Sequence, residues 1–130
     1  PTAVQATLEA LRLFYGDRRL WAIFEPRTNS SKRRVFQERY ATVFHAADLV
    51  LIKEPPGLDA VPPEERLSAQ QLVSDIAARG VEAHYFPDVD AMLPFVLSAV
   101  QPGDVLLVMS TGSFDNLIDR LLEELNKRWT

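Results

Sequence analysis

The sequence predicts an α/β domain, Rossmann-like and three-layered, with a mostly parallel sheet covered by helices on both faces. Three observations carry that expectation. The strand-length apolar segments are continuous rather than alternating, the mark of strands buried on both faces. They alternate one for one with segments of helical periodicity, giving the order α-β-α-β-α-β-α-β-α. The chain has 130 residues, which suits one domain spanning 1–130 and leaves little room for a second.

Residues 3–15 place Val4, Leu8, Leu11 and Tyr15 at helical spacing; Thr2 and Gln5 read as a capping box and Gly16 as the stop. Leu20 to Phe24 is a short apolar run closed by Pro26 and reads as a doubly buried strand. Residues 34–45 return to helical spacing through Val35, Phe36, Tyr40, Val43 and Phe44, and Asp48 leads into a second apolar run, Leu49 to Ile52. Glu54 to Arg66 holds four of the nine prolines and reads as a loop. Ser68 and Gln71 form another capping box, opening a helix with Leu72, Val73 and Ile76 on one face and Gly80 at its end. Val81 to Phe86 is rich in strand formers. Val89 to Val100 fits a helix, provided Pro94 sits in its first turn or bends it. Pro102-Gly103 is a turn, Val105 to Met109 a fourth buried strand, and Asp115 to Leu125 a final amphipathic helix.

Right-handed crossovers gather the strand-to-helix loops at the carboxyl edge of such a sheet, where ligands of open α/β folds bind. Pro26, Pro55, Pro56, Pro62, Pro63 and Pro87 lie in or beside those loops, while the helix-to-strand links are short. Long loops on one edge mark where function is expected.

Composition narrows the function. Fourteen Lys plus Arg against 18 Asp plus Glu leave a net charge of −4, and the pI is near 5.1. That balance argues against a general nucleic-acid binder, which needs cations to neutralise phosphates. The absence of Cys excludes disulfides, thiolate metal sites and a Cys nucleophile, and it fits a reducing compartment. No apolar run approaches the roughly 20 residues that span a bilayer, so no membrane partner is expected. No charged leader with an apolar core opens the chain, so a cytoplasmic location is expected. Pro1 stands where a Met would start a gene product, so the chain reads as processed or as a piece of something longer.

Two loops at the expected carboxyl edge are candidate sites. The first runs Glu25-Pro26-Arg27-Thr28-Asn29-Ser30-Ser31-Lys32-Arg33-Arg34; with Arg39 it concentrates five cations in thirteen residues of an acidic chain. Arg27, Lys32 and Arg33 can hold a carboxylate or phosphate, Asn29 can add polar contacts, and Ser31 can cap the following helix. The competing reading is a solvated basic turn with an ordinary cap. The second is Ser110-Thr111-Gly112-Ser113-Phe114, where small residues let a ligand approach backbone amides at a helix start. Strand-to-helix turns also use small residues for their own sake, so that reading stays open too. His45 and His84 have no partners in the sequence that suggest a metal site. Ser110 and Ser113 lack a G-x-S-x-G elbow, and Glu64-Glu65 and Glu123-Glu124 read as exposed charge. No G-x-x-x-x-G-K-[ST] or G-x-G-x-x-G occurs, and Pro26 and Arg27 occupy the turn where close phosphate approach wants Gly.

The first of these loops carries a resemblance. Phe24-Glu25-Pro26-Arg27-Thr28-Asn29-Ser30, followed by Arg33-Arg34-Val35-Phe36-Gln37, resembles the first strand and loop of the C-terminal domain of Mur ligases. Pro1-Thr2-Ala3-Val4 is similar to the tail of that family's His-His-Pro-Thr-Ala-Val run. Met109-Ser110-Thr111-Gly112-Ser113-Phe114 is similar to its late Met-Ser-Asn-Gly-Gly-Phe turn. The likeness runs in order from residue 1 to about 125.

The resemblance implies the last domain of a three-domain, ATP-dependent ligase. The family's first domain holds a UDP-sugar, its central domain holds ATP and Mg²⁺, and the C-terminal domain closes over the central one and presents the amine. The branch most resembled joins L-alanyl-γ-D-glutamyl-meso-diaminopimelate to UDP-N-acetylmuramate through an acyl phosphate, in peptidoglycan recycling. Under the resemblance Arg27, Asn29, Ser31, Lys32 and Arg33 face the acidic peptide and phosphates, and Ser110, Thr111, Gly112 and Ser113 line the peptide's side of the cleft. No residue of this chain is assigned a catalytic or metal-binding role, and alone it is expected to be inactive. Thr111 and Ser113 depart from the family turn, and Lys53-Glu54-Pro55-Pro56 lacks the arginine that the diaminopimelate-adding relative carries there. Two alternatives remain: a Mur ligase domain for a single amino acid, of the L-alanine-adding type, or a stand-alone binding module without chemistry.

Overall fold

Burial of every residue of Leu20–Phe24 requires neighbours on both edges and both faces of that strand. The computed structural model describes residues 2–25, 37–55, 62, 64, 68–109 and 116–129. Along them run α1 (Thr2–Tyr15), β1 (Leu20–Phe24), α2 (Gln37–Thr42), β2 (Leu49–Lys53), α3 (Ala69–Ala78), β3 (Glu82–Phe86), α4 (Val89–Ala99), β4 (Val105–Met109) and α5 (Leu117–Trp129). The four strands form one sheet in the order β3-β2-β1-β4. Every pairing is parallel, with Ala22 beside both Val50 and Leu107.

Strand periodicity sorts the core into two halves. Leu20, Ala22, Phe24, Val50 and Ile52 face one side, where Leu8 of α1, Tyr40 and Phe44 in and after α2, and Leu72 and Ile76 of α3 cover them. Phe24 meets the Tyr40 and Phe44 rings at 5.1 and 5.9 Å. Trp21, Ile23, Leu49 and Leu51 face the other side, under Val89, Met92 and Val96 of α4 and Leu117 and Leu121 of α5. The result is the expected three-layer α/β arrangement.

Several local expectations are corrected. The first helix already includes Thr2, so Thr2 lies inside the first turn rather than ahead of it as a cap. Tyr15 is more than a third exposed, with Leu13 and Phe14 beside it still more open. The second helix ends at Thr42, before β-branched Val43, and the chain continues in turns closed by Val43 N–H to Tyr40 O and Ala47 N–H to Phe44 O. Val43 and Phe44 are buried nonetheless, so their apolar spacing marks burial beyond the helix end. Pro94 sits in the second turn of α4, where it cannot donate to the carbonyl of Asp90. β4 is half-buried throughout rather than fully buried, because it lies at the edge of the sheet. The last helix starts at Leu117, after Asn116 at φ 61°, and runs on to Trp129.

The Ser68 cap is half of the expected box. Ser68 Oγ accepts from Gln71 N–H at 3.2 Å, but Gln71 Nε2 donates to Asp75 at 2.9 Å. The Ser68 N–H goes instead to Oε1 of buried Gln37, at 3.1 Å. A residue of α2 thus completes the cap of α3.

Two arginine–aspartate clusters pin the amino edge of the sheet. Asp104 accepts from Arg19, from the Trp21 indole at 3.0 Å and from the Gln101 amide at 3.0 Å, and Arg19 also donates to Ala99 O at 2.6 Å. Asp48 accepts from Arg12 at 2.6 Å and from the Leu20 amide at 2.8 Å, while Arg12 also reaches the Ala46, Gly16 and Arg18 carbonyls. Burial pushes both carboxyls up, but these donors outweigh it and hold each below its ordinary value.

Asp104→Asn is expected to lower stability by about 1.5–3 kcal/mol, the scale of hydrogen bonds to a charged group, measured by urea unfolding at neutral pH. A depressed folded-state pKa contributes stability above the unfolded value of roughly 3.9, and that stability is lost as pH falls through the folded value. The wild-type urea midpoint should therefore drop below about pH 4, and less steeply in Asp104→Asn.

Candidate functional site at the carboxyl edge

Parallel pairing brings all four strand ends to one edge of the sheet. From β1 the chain moves outward through β2 to β3, then crosses back to place β4 on the other side of β1. That reversal is a topological switch point, the place at the carboxyl edge where open α/β sheets bind their ligands. Phe24 stands beside Met109 in the register, and the Glu25 N–H donates to Met109 O at 3.1 Å. The two candidate loops, distant in sequence, therefore start from adjacent, hydrogen-bonded roots.

Arg27, Asn29, Ser31, Lys32 and Arg33 lie outside the described residues, as do Ser110, Thr111, Gly112 and Ser113. The structure brings together the strand ends that carry them. Arg39 is described: it is exposed on α2 and, with Glu38, Asp75 and Arg79, borders a shallow depression of about 620 Å³. Another depression, of about 670 Å³, lies at the amino edge, where Arg12 already engages Asp48. Neither is at the switch point.

The described part of the carboxyl edge holds polar groups that sequence reading did not single out. Glu25 and Lys53 extend the alternation of Trp21, Ile23, Leu49 and Leu51, so both belong to the α4/α5 face. Both side chains are buried, and Lys53 Nζ lies 2.8 Å from Glu25 Oε2. Lys53 Nζ also donates to Glu54 O at 3.2 Å. The Glu54 N–H donates to Phe86 O at 2.9 Å, and the Glu54 carboxylate accepts from the Tyr85 hydroxyl at 2.5 Å. Burial, then the hydrogen bond to Glu54 and its charge, push the Tyr85 phenol up to about 12. A signal for this cluster exists in the sequence: two apolar runs end in opposite charges next to proline, Phe24-Glu25-Pro26 and Ile52-Lys53-Glu54-Pro55.

The two histidines lie elsewhere. His45 is at the surface, 3.8 Å from Glu9, and His84 contacts Glu82 at 2.8 Å and the Phe95 ring at 4.7 Å. Among the described residues no three His, Asp or Glu side chains converge as a metal site would need. Among the same residues, no helix is long and apolar enough to cross a membrane.

Of the three tyrosines, Tyr85 is expected to ionise near pH 12, and Tyr85→Phe should remove that step from an ultraviolet alkaline titration. A raised phenol pKa stabilises the fold below the unfolded value near 10, and that stability is lost as pH climbs toward the folded value.

Comparison with known proteins closes the identification. The profile of the family described as "Mur ligase, glutamate ligase domain" matches residues 1–112. The UDP-N-acetylmuramate–L-alanyl-gamma-D-glutamyl-meso-2,6-diaminoheptandioate ligase of Escherichia coli (strain K12) is 35% identical over 130 residues, covering 98% of this chain and 26% of the relative. The UDP-N-acetylmuramate–L-alanine ligase of Desulfitobacterium hafniense (strain Y51) is 33% identical over 112 residues, covering 86% of this chain and 25% of the relative. The crystal structure of a murein peptide ligase from Psychrobacter arcticus matches with a TM-score of 0.77 at 29% identity, over 95% of this chain and 25% of that one. The chain thus spans about a quarter of the length of the curated relatives it matches. Profile, sequence and fold agree, and the chain belongs to the Mur ligase family as its C-terminal, glutamate ligase domain.

Proposed function

We propose that this chain is the amine-presenting domain of an ATP-dependent ligase that joins L-alanyl-γ-D-glutamyl-meso-diaminopimelate to UDP-N-acetylmuramate in the cytoplasm, as part of peptidoglycan recycling. The observation that carries the reading is the shared root of the two loops at the switch point, Glu25 N–H to Met109 O. A cationic stretch, Arg27 with Lys32 and Arg33, follows one root, and the small residues Ser110, Thr111, Gly112 and Ser113 follow the other. A peptide with several carboxylates suits that combination, since guanidinium groups bind carboxylates in paired hydrogen bonds. Asn29 and Ser31 add neutral polar contacts.

In the proposed reaction the sugar's carboxylate is first phosphorylated to an acyl phosphate. The amine of the bound peptide attacks the acyl carbon, the amide bond forms and inorganic phosphate leaves. This domain's share is binding and orientation: its cations hold the peptide's carboxylates so that the amine points at the acyl carbon. Closure over the nucleotide-bearing part of the protein keeps water from the intermediate. ATP and Mg²⁺ are assigned to that other part, because this sequence carries no G-x-x-x-x-G-K-[ST] loop. UDP-N-acetylmuramate and the protein's own preceding domains complete the partners.

A second reading changes only the amine. An L-alanine-adding ligase at 33% identity stands among the relatives beside the peptide ligase at 35%, and a single amino acid would offer one carboxylate to the same loop. Purified full-length protein given ATP, Mg²⁺ and UDP-N-acetylmuramate with either amine decides between them by product mass.

In the full-length enzyme, Arg27→Ala or Arg33→Ala should raise the KM for the peptide about tenfold, the scale of one charge-assisted hydrogen bond, with the KM for UDP-N-acetylmuramate within about twofold. An unchanged peptide KM with a raised UDP-sugar KM overturns the assignment. The 130 residues alone, with Mg²⁺, ATP and both substrates, are expected to give no turnover; released phosphate would contradict that.

A further inference from the structure

We propose that the buried Glu25–Lys53 ion pair is a positioning device: it fixes the backbone at Glu25, the residue from which residues 26–36 continue, and thereby sets the affinity for the acidic amine substrate. This rests on the reading above that the loop receives that substrate.

Stability alone is a poor reason for such a pair. Desolvating two charges offsets most of their attraction, and apolar replacements of a buried pair are often neutral or stabilising. Lys53 ends the run Leu49-Val50-Leu51-Ile52 and is buried like the rest of β2, so one more aliphatic residue would satisfy the packing. Its place explains more. Glu25 is the last described residue before the loop and is held from two sides, by Lys53 of β2 through its carboxylate and by Met109 of β4 through its amide. Lys53 is tethered in turn to Glu54 O, and Glu54 is gripped by Tyr85 and Phe86 of β3. A continuous series of polar contacts therefore crosses β4, β1, β2 and β3 at the carboxyl edge and includes the root of the loop. Binding groups are aligned only as well as the residues that support them, and displacement of about 1 Å at a positioning group costs on the order of 100-fold in rate.

The test is made in the full-length protein. The double variant Glu25→Gln/Lys53→Met removes both charges of the pair together, so neither is left buried opposite the gap of the other. Its melting temperature is expected to stay within about 3 °C of wild type, while the KM for the amine substrate rises about tenfold and the KM for UDP-N-acetylmuramate stays within about twofold. KM reads only the folded fraction, so a modest loss of stability does not mimic this split. Lys53→Arg keeps the charge and should hold the amine KM within about threefold of wild type. An unchanged amine KM in the double variant, or an equal rise in both KM values, overturns the proposal. Should the double variant fail to fold, Tyr85→Phe, which releases the Glu54 carboxylate, is read in the same way, with about a threefold rise expected and no rise overturning it. Arg27→Ala is measured in parallel. A raised amine KM there beside an unchanged double variant overturns the pair's role alone, and no change in either removes the loop assignment as well.

Discussion

The parallel pairing of β1 on both of its edges is the constraint from which the rest of the molecule follows. Leu20 to Phe24 is buried at every position, so its backbone groups must find partners in β2 and β4 and its side chains must find cover on two faces. Parallel neighbours cannot be reached through tight hairpins, so each connection carries a helix back across the sheet. The helices divide between the two faces, with α1, α2 and α3 on one and α4 and α5 on the other. The return of the chain to pair β4 with β1 opens the switch point. One buried strand thus determines the layers and the place of the switch point.

The two edges of the sheet use polar residues differently. At the amino edge, Asp104 gathers Arg19, the Trp21 indole and the Gln101 amide, and Asp48 gathers Arg12 and the Leu20 amide. Both clusters bind side chain to backbone across short links and hold the strand starts in register. At the carboxyl edge the cluster of Glu25, Lys53, Glu54 and Tyr85 runs from strand to strand at the strand ends. Such a cluster ties the ends of the four strands to one another, and groups held by a supporting shell of this kind are kept in place.

Charge follows the same division. The domain is acidic overall, yet Arg27, Lys32, Arg33 and Arg34 fall in one loop that follows the central strand. A local excess of cations in an acidic molecule favours acidic ligands at that place and repels them elsewhere.

Much of the fold was legible because its causes are local. Continuous apolar runs mark Leu20–Phe24 and Leu49–Ile52, helical spacing marks Leu72 and Ile76, and Ser68 before Gln71 marks a cap; each depends on a few neighbouring residues and on backbone sterics. The two loops were legible as candidate sites by their composition, and their family likeness by their order along the chain. What the sequence could not decide was which distant residues meet. That β4 lies beside β1 and so stands half-buried at an edge, that Gln37 completes the Ser68 cap, and that Lys53 pairs with Glu25 all depend on the path of the chain between them. Local periodicity determines what each segment is; only the closing of the sheet, which sets partners tens of residues apart side by side, decides what each segment touches.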